Sequence, residues 1–448
     1  MNSVALLRSL ADAREQAHVL GLTSICSAHP LVLEAAFEHS QAHDYPLLIE
    51  ATSNQVNQFG GYTGMTPACF RTFADDIAQR VGRSSARVVL GGDHIGPNPW
   101  RHKAAEQAMD KACALVEAYV RAGFSKIHLD ASMPLGDDAE SGSSALAPET
   151  AAARGAQLCA AAERTCADME AGTAPVYVIG TEVPTPGGSH EGDDGIQVTT
   201  ASDFREFVRI QQEAFVQAGV VQAWERTGAV VVQPGMEFGD NSVHDYSRCA
   251  AAELSAALKE FPQLVFEGHS SDYQTRAALR QLVEDGTAIL KVGPQLTFAV
   301  REGLFALEMI EREMFSRDTG MELSALSSTL DEAMLAAPQH WMNHYQGREH
   351  DITISRRFSL SDRCRYYWTV PPVQRAVQRL LANLADITIP LGLVSQYLPG
   401  QYRAVREGLL LTDPAALVKD KVREILDDYA WAVGRHRQLT EKMEGCRP

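Results

Sequence analysis

The sequence predicts an α/β chain folded as a (β/α)8 TIM barrel with a C-terminal helical extension. Three observations predict it. Short β-branched runs alternate with longer amphipathic stretches from residue 21 to about 316, the count of strand candidates is eight, and the loops after the strands are long and polar while those before them are short. The strand candidates, in order, are Leu22–Ser27, Pro46–Ala51, Ala86–Gly91, Lys126–Ala131, Pro175–Thr181, Ala229–Gln233, Leu264–Glu267 and Ala288–Val292. Each precedes a helical pattern such as Leu31–His43, Lys103–Ala122 or Phe298–Phe315. An open doubly wound sheet would carry a GxGxxG turn after its first strand, and none is present. The barrel is therefore assigned to residues 1–320. Residues 321–448 leave the βα rhythm for helical patterns at Glu322–Ala337, Pro372–Ala382 and Pro414–Arg435, with the aromatic run Tyr366-Tyr367-Trp368 between them, and are assigned to an extension packed on the barrel.

Composition narrows the function. A chain of 448 residues, 45% hydrophobic and 22% charged, can bury a full core. Forty Lys and Arg against 57 Asp and Glu give a net charge of −17, which argues against a nucleic acid or an anionic membrane as partner. The eight cysteines form no CxxC pair, so neither a disulfide framework nor a zinc finger is expected. No apolar run approaches the roughly 20 residues of a membrane span, and a cytoplasmic location is expected.

Barrel active sites form at the carboxyl ends of the strands, where the long loops lie here. Strand three ends in Gly91-Gly92-Asp93-His94, strand five in Gly180-Thr181-Glu182, strand six in Pro234-Gly235-Met236-Glu237 and strand seven in Glu267-Gly268-His269. Two imidazoles and a carboxylate from separate strands make a His2Glu-type set suited to catalytic Zn2+ or another divalent metal with an open position. Asp93 and His94, being adjacent, should leave an extended strand in different directions, one toward a metal and one toward substrate. The same residues have plainer readings. A strand-end histidine often completes a hydrogen-bond network, and Glu182 or Glu237 could cap a helix; spacing ranks neither above the other as ligand. His128, His29 and His190 read as structural or supporting residues.

Substrate contacts are expected around the same rim. Asp130 ends strand four, where it could position a hydroxyl or cap a turn. Ser270 and Ser271 after strand seven, with the loop after strand eight, occupy the usual barrel phosphate site, and Arg363 could bring a guanidinium over it. Asn54, Gln55 and Asn57 crowd amides into the loop after strand two, matching a polyhydroxylated ligand or, equally, building turns.

These motifs together carry a resemblance. Ser53-Asn54-Gln55-Val56-Asn57-Gln58, Gly92-Asp93-His94-Ile95-Gly96-Pro97-Asn98, His128-Leu129-Asp130, Gly180-Thr181-Glu182-Val183-Pro184, Gln233-Pro234-Gly235-Met236-Glu237, Glu267-Gly268-His269-Ser270-Ser271-Asp272 and Ser361-Asp362-Arg363 resemble the GatZ/KbaZ family over nearly the whole chain. That family has been described as tagatose-bisphosphate aldolase subunits and, in older labels, as tagatose 6-phosphate kinases. The chain has no GxxxxGK[ST] loop to support a kinase. The family is similar to class II zinc aldolases, and the resemblance implies Asp93 as acid/base, His94 and His269 as zinc ligands and Glu182 as the glutamate after strand five. Where those aldolases place a third zinc histidine, after strand six, this chain has Glu237. The implied activity is a metal-dependent 4-epimerase interconverting tagatose 6-phosphate and fructose 6-phosphate. Zinc would be held by His94, His269 and Glu237, with Asp93 and Glu182 moving protons. The alternative is a non-catalytic subunit that stabilises a class II tagatose-1,6-bisphosphate aldolase. A phosphorylated ketohexose is the expected small-molecule partner, and the chain is expected to be a homo-oligomer.

Overall fold

The structure is a computed structural model that describes residues 2–82, 87–138, 146–169, 174–180, 196–315 and 320–435. Eight parallel strands close into a barrel: β1 (Leu22–Ile25), β2 (Leu47–Thr52), β3 (Val88–Ile95), β4 (Lys126–Leu129), β5 (Val176–Gly180), β6 (Thr227–Val231), β7 (Val265–Gly268) and β8 (Thr287–Val292). Closure comes from β1 pairing in parallel with both β2 and β8, Leu22 lying opposite Ile289. A two-residue antiparallel ladder, Glu237–Phe238 with Val243–His244, stands apart from the barrel.

Period-two alternation sorts the inward side chains into layers. The bottom layer is apolar. Leu48, Val89, Val178, Val265 and Ile289 form one buried cluster with Leu6, Leu10 and Ala11 of the helix Ser3–Glu15. The N-terminal helix thus plugs the amino end of the barrel, an element the sequence reading leaves unassigned. Two residues along each strand the interior becomes charged: Glu50 on β2, Lys126 on β4, Glu267 on β7 and Lys291 on β8, all buried. Gly91 occupies the corresponding place on β3, where a Cβ would lie 2.7 Å from Glu50 Oε1, so glycine there leaves room for the charge layer. Two residues further, Asp93, His128 and His269 reach the mouth.

β3 runs on to Ile95, longer than the expected Ala86–Gly91, because the sheet hydrogen bonds continue: Ala51 and Thr52 stay in register with Gly92 and Asp93. Asp93 and His94 are consequently strand residues and not loop residues.

The C-terminal region is helical, as expected. It holds helices Leu326–Ala336, Glu349–Phe358, Pro371–Ala385, Leu391–Tyr397, Pro399–Arg406 and Pro414–Ala432, and a 3-10 turn at Arg363–Tyr367. The last helix packs on Pro30–Ala42, Arg276–Glu284 and Pro294–Phe315, the barrel's own outer helices. Its Lys419 and Arg423 both reach Glu38, at 2.5 and 2.9 Å. The seven cysteines among the described residues are free, and no described helix is long and apolar enough to cross a membrane.

Candidate active site

Asp93, His94, His128 and His269 each place one ligand-capable atom within 4.8 Å of all the others, and all four are buried. His94 and His269 therefore converge as expected, their ring centroids 4.9 Å apart. The fourth member is His128, read from sequence as a supporting residue. Glu237 is not in this group: it is buried, and its Oε1 accepts the Phe238 amide at 2.9 Å within the small antiparallel ladder. Glu182 lies outside the described residues.

Backbone geometry explains why neighbours Asp93 and His94 share one site. An extended strand would send them to opposite faces, but His94 has φ +48°, a left-handed conformation that breaks the alternation. His94 Nε2 ends 3.7 Å from Asp93 Oδ2. Ser270, directly after His269, has φ +57° and makes the same kind of turn. Strained non-glycine residues gather where the surroundings over-determine them, and here both sit at the mouth. Gly96 lets the chain leave: a Cβ there would fall 1.6 Å from the Asp130 carbonyl oxygen.

Further contacts orient these groups. His94 Nδ1 lies 2.9 Å from Asp130 Oδ2, whose other oxygen accepts from the Ser132 hydroxyl at 2.7 Å. A carboxylate on Nδ1 fixes the tautomer and leaves Nε2 facing the cluster, the usual support of a metal-bound histidine. His128 Nδ1 is 3.1 Å from Asp93 Oδ1, and its Nε2 is buried without a hydrogen-bond partner. Three imidazoles and one carboxylate whose donor atoms lie within 4.8 Å of one another are a set that fits a divalent cation.

The charge layer lies directly beneath. Lys126 bonds Glu50 and is 2.7 Å from Glu267; Lys291 bonds Glu50 and is 2.7 Å from Asp93 Oδ1. Three carboxylates meet two ammonium groups, so the layer holds one more negative than positive charge before Asp130 is counted. Burial works against the charged form of Asp93, yet His94 and Lys291 hold its carboxyl well below the usual range. Burial, reinforced by Lys291, pushes His269 down to about 3, so it is neutral and able to ligate. Burial also opposes the charge on His94, but Asp93 and Asp130 raise it. Lys126, Lys291, Glu50 and Glu267 were missed as site residues. The available signal was a charge at alternate positions of strands otherwise built for burial.

The mouth is a pocket of about 90 Å3 reached by Asp93, His94, His269, Lys291, Asn54 and Gln55. It shares Cys26, Gln55, Tyr62 and Arg365 with an adjoining pocket of about 370 Å3, which brings the combined space to the scale of small-molecule sites. The phosphate arrangement expected after β7 and β8 is altered. Asp272 Oδ1 accepts the amides of Gly293 and Gln295 at 3.0 and 2.8 Å, filling the cradle with the protein's own carboxylate. Ser270 lines the mouth, whereas the Ser271 hydroxyl donates to the Lys291 carbonyl at 2.5 Å and meets Tyr429. Arg365 lines the mouth, and Arg363 lines a separate cleft. Asn57 shapes its loop, donating to the Ser53 carbonyl at 3.0 Å and accepting from the amides of Phe59 and Gly61.

The family model described as D-tagatose-1,6-bisphosphate aldolase subunit GatZ/KbaZ-like matches residues 7–434. The chain belongs to the GatZ/KbaZ-like family. Among the curated members of that family, the protein named D-tagatose-1,6-bisphosphate aldolase subunit GatZ from Escherichia coli O1:K1 / APEC is 45% identical over 425 residues, 95% of this chain and 99% of the relative. The protein of the same name from Salmonella gallinarum is 46% identical over 423 residues, 94% of this chain and 98% of the relative. A solved structure described as a probable tagatose 6 phosphate kinase from Sinorhizobium meliloti 1021 superposes with a TM-score of 0.83 at 44% identity, covering 92% of this chain and all of that one.

Proposed function

We propose that this protein serves tagatose metabolism as the partner subunit of a class II tagatose-1,6-bisphosphate aldolase. The names of relatives 45% identical over 95% of the chain carry this reading. Its test is co-expression with such an aldolase: the partner's thermal stability and activity should rise with this chain present and stay at the level of the partner alone without it.

One observation favours a second reading, in which the subunit also performs chemistry of its own. Asp93, His94, His128 and His269 converge within 4.8 Å at the barrel mouth, and packing alone does not require that. The reaction is 4-epimerisation of a ketohexose 6-phosphate between the tagatose and fructose forms. A divalent cation, Zn2+ or another, held by His94, His128 and His269, would supply Lewis-acid polarisation of the ketose oxygens. Asp93, kept as carboxylate by Lys291, accepts the C4 hydroxyl proton. The C3–C4 bond then breaks, and its electron pair passes into an enediolate beside the Lys291 ammonium. Re-addition to the opposite face of the aldehyde re-forms the bond, and the proton returns from Asp93 to the C4 oxygen, inverting that carbon. Glu182 is retained as a second proton carrier. Turnover of tagatose 6-phosphate by the purified chain, abolished by a chelator and by His94→Ala, is the expected result. No turnover by a metal-loaded chain, with a metal-free His94→Ala variant still stabilising the aldolase fully, leaves the subunit role alone.

A further inference from the structure

Three arginines are buried among the described residues, and two are ion-paired. Arg301 is 3.2 Å from Asp362, and Arg356 grips Asp331 at 2.7 and 3.0 Å. Arg363, 4% exposed, has no ion pair among the described residues. One guanidinium nitrogen donates to the His340 carbonyl at 3.2 Å, and its buried Nε has no hydrogen-bond partner. Burying a guanidinium without a counter-charge is unfavourable, and no described residue supplies an anion to this one, so the site calls for one from outside.

The space it faces supplies the rest of the argument. Arg363 lines a cleft of about 810 Å3 between the loops after β2 and β3 and the C-terminal region, with Arg101, His102, His340, Asn54 and Asn98. No Asp or Glu is among its described lining residues, in a chain whose net charge is −17. Arg101 is exposed and has no ion pair among the described residues. The cleft shares Asn54, Tyr62 and Tyr366 with the mouth pocket, and the edge-to-face Tyr62–Tyr366 pair, 4.6 Å between centroids, forms part of both walls.

We propose that this cleft is a phosphate-binding subsite in which the Arg363 fork, Arg101 and the Asn98 amide hold a phosphate monoester dianion. Guanidinium groups match phosphate geometry, and burial strengthens the pairing. The usual barrel cradle is filled by Asp272, so the anion is held here, beside the loops after β2 and β3. Assigning the phosphate to a ketohexose phosphate rests on the function proposed above; the subsite itself does not.

The experiment is calorimetric titration of the full chain with inorganic phosphate, tagatose 6-phosphate and unphosphorylated tagatose, for wild type, Arg363→Gln and Arg101→Ala. Both variants should bind inorganic phosphate at least tenfold more weakly and leave tagatose binding unchanged. Competition between inorganic phosphate and tagatose 6-phosphate identifies the sugar's own phosphate as the occupant, and simultaneous binding identifies a separate phosphorylated effector; either supports the subsite. Unchanged phosphate affinity in Arg101→Ala and in folded Arg363→Gln overturns it, and if Arg363→Gln does not fold, the exposed Arg101 decides. Phosphate binding without turnover refutes the epimerase and not the subsite.

Discussion

His128 Nε2 is a buried nitrogen with no hydrogen-bond partner, and His94 Nδ1 is held by Asp130; together these contacts define what single residues do at the mouth. If Asp130 fixes the His94 tautomer for a cation, Asp130→Asn lowers metal affinity by about 10–100-fold without unfolding the chain, as competition with a chromophoric chelator would show. Unchanged affinity would remove His94 from the ligand set. Asp272 supplies a different test. Burial raises its carboxyl to about 6, above the unfolded value of about 3.9, so the native state holds this proton more tightly. Its contribution is fully present below pH ~4 and is lost as pH rises through ~6, a change of about 3 kcal/mol. Asp272→Asn keeps the oxygen that accepts from Gly293 and Gln295 and should flatten that part of the stability curve; urea unfolding at pH 4, 5, 6 and 7 measures it.

At the level of elements, β2, β3, β4, β7 and β8 deliver side chains into stacked layers, apolar at the bottom, charged in the middle and with Asp93, His128 and His269 at the top. Breaking the middle layer should be costly. Glu50→Gln leaves Lys126 and Lys291 short of a partner and is expected to destabilise by about 3–5 kcal/mol in denaturant titration. A cost below about 1 kcal/mol would mean that the layer rearranges or takes up water. The plug helix Ser3–Glu15 is a second case: Leu10 is fully buried against the barrel floor, and Leu10→Ala should cost about 2–5 kcal/mol with metal affinity unchanged. The helix is amphipathic, with Leu6, Leu7, Leu10 and Ala11 on its buried face and Arg8, Asp12 and Glu15 on its exposed one, and only the barrel floor explains what the buried face covers.

Across the whole molecule, the C-terminal region does more than cover the barrel. Tyr429 of the last helix donates to the Ser271 carbonyl at 2.8 Å and contacts the Ser271 hydroxyl, tying the tail to the loop that follows His269. The buried Leu417, Val418, Val422 and Leu426 of that helix face outer helices of the barrel. Ending the chain before Pro414 should therefore yield insoluble or molten protein and not a shorter active barrel; a soluble fragment with a cooperative unfolding transition would show the barrel to be independent.

The amino-acid order was enough for the eight strands and for naming Asp93, His94 and His269 among the residues at their ends, because β-branched runs and polar loop ends are local signals that topology seldom overrides. It was not enough to place His128 in the cluster or to tell which of Arg363 and Arg365 lines the mouth. His128 joins the cluster, and Glu237 stays in its own small ladder, because inward direction depends on register around a closed sheet and on one left-handed residue at His94. Arg363 and Arg365 are two places apart in sequence, yet they line different cavities. Which one faces the mouth depends on how a 3-10 turn from the tail docks on distant loops, and long-range packing alone sets that.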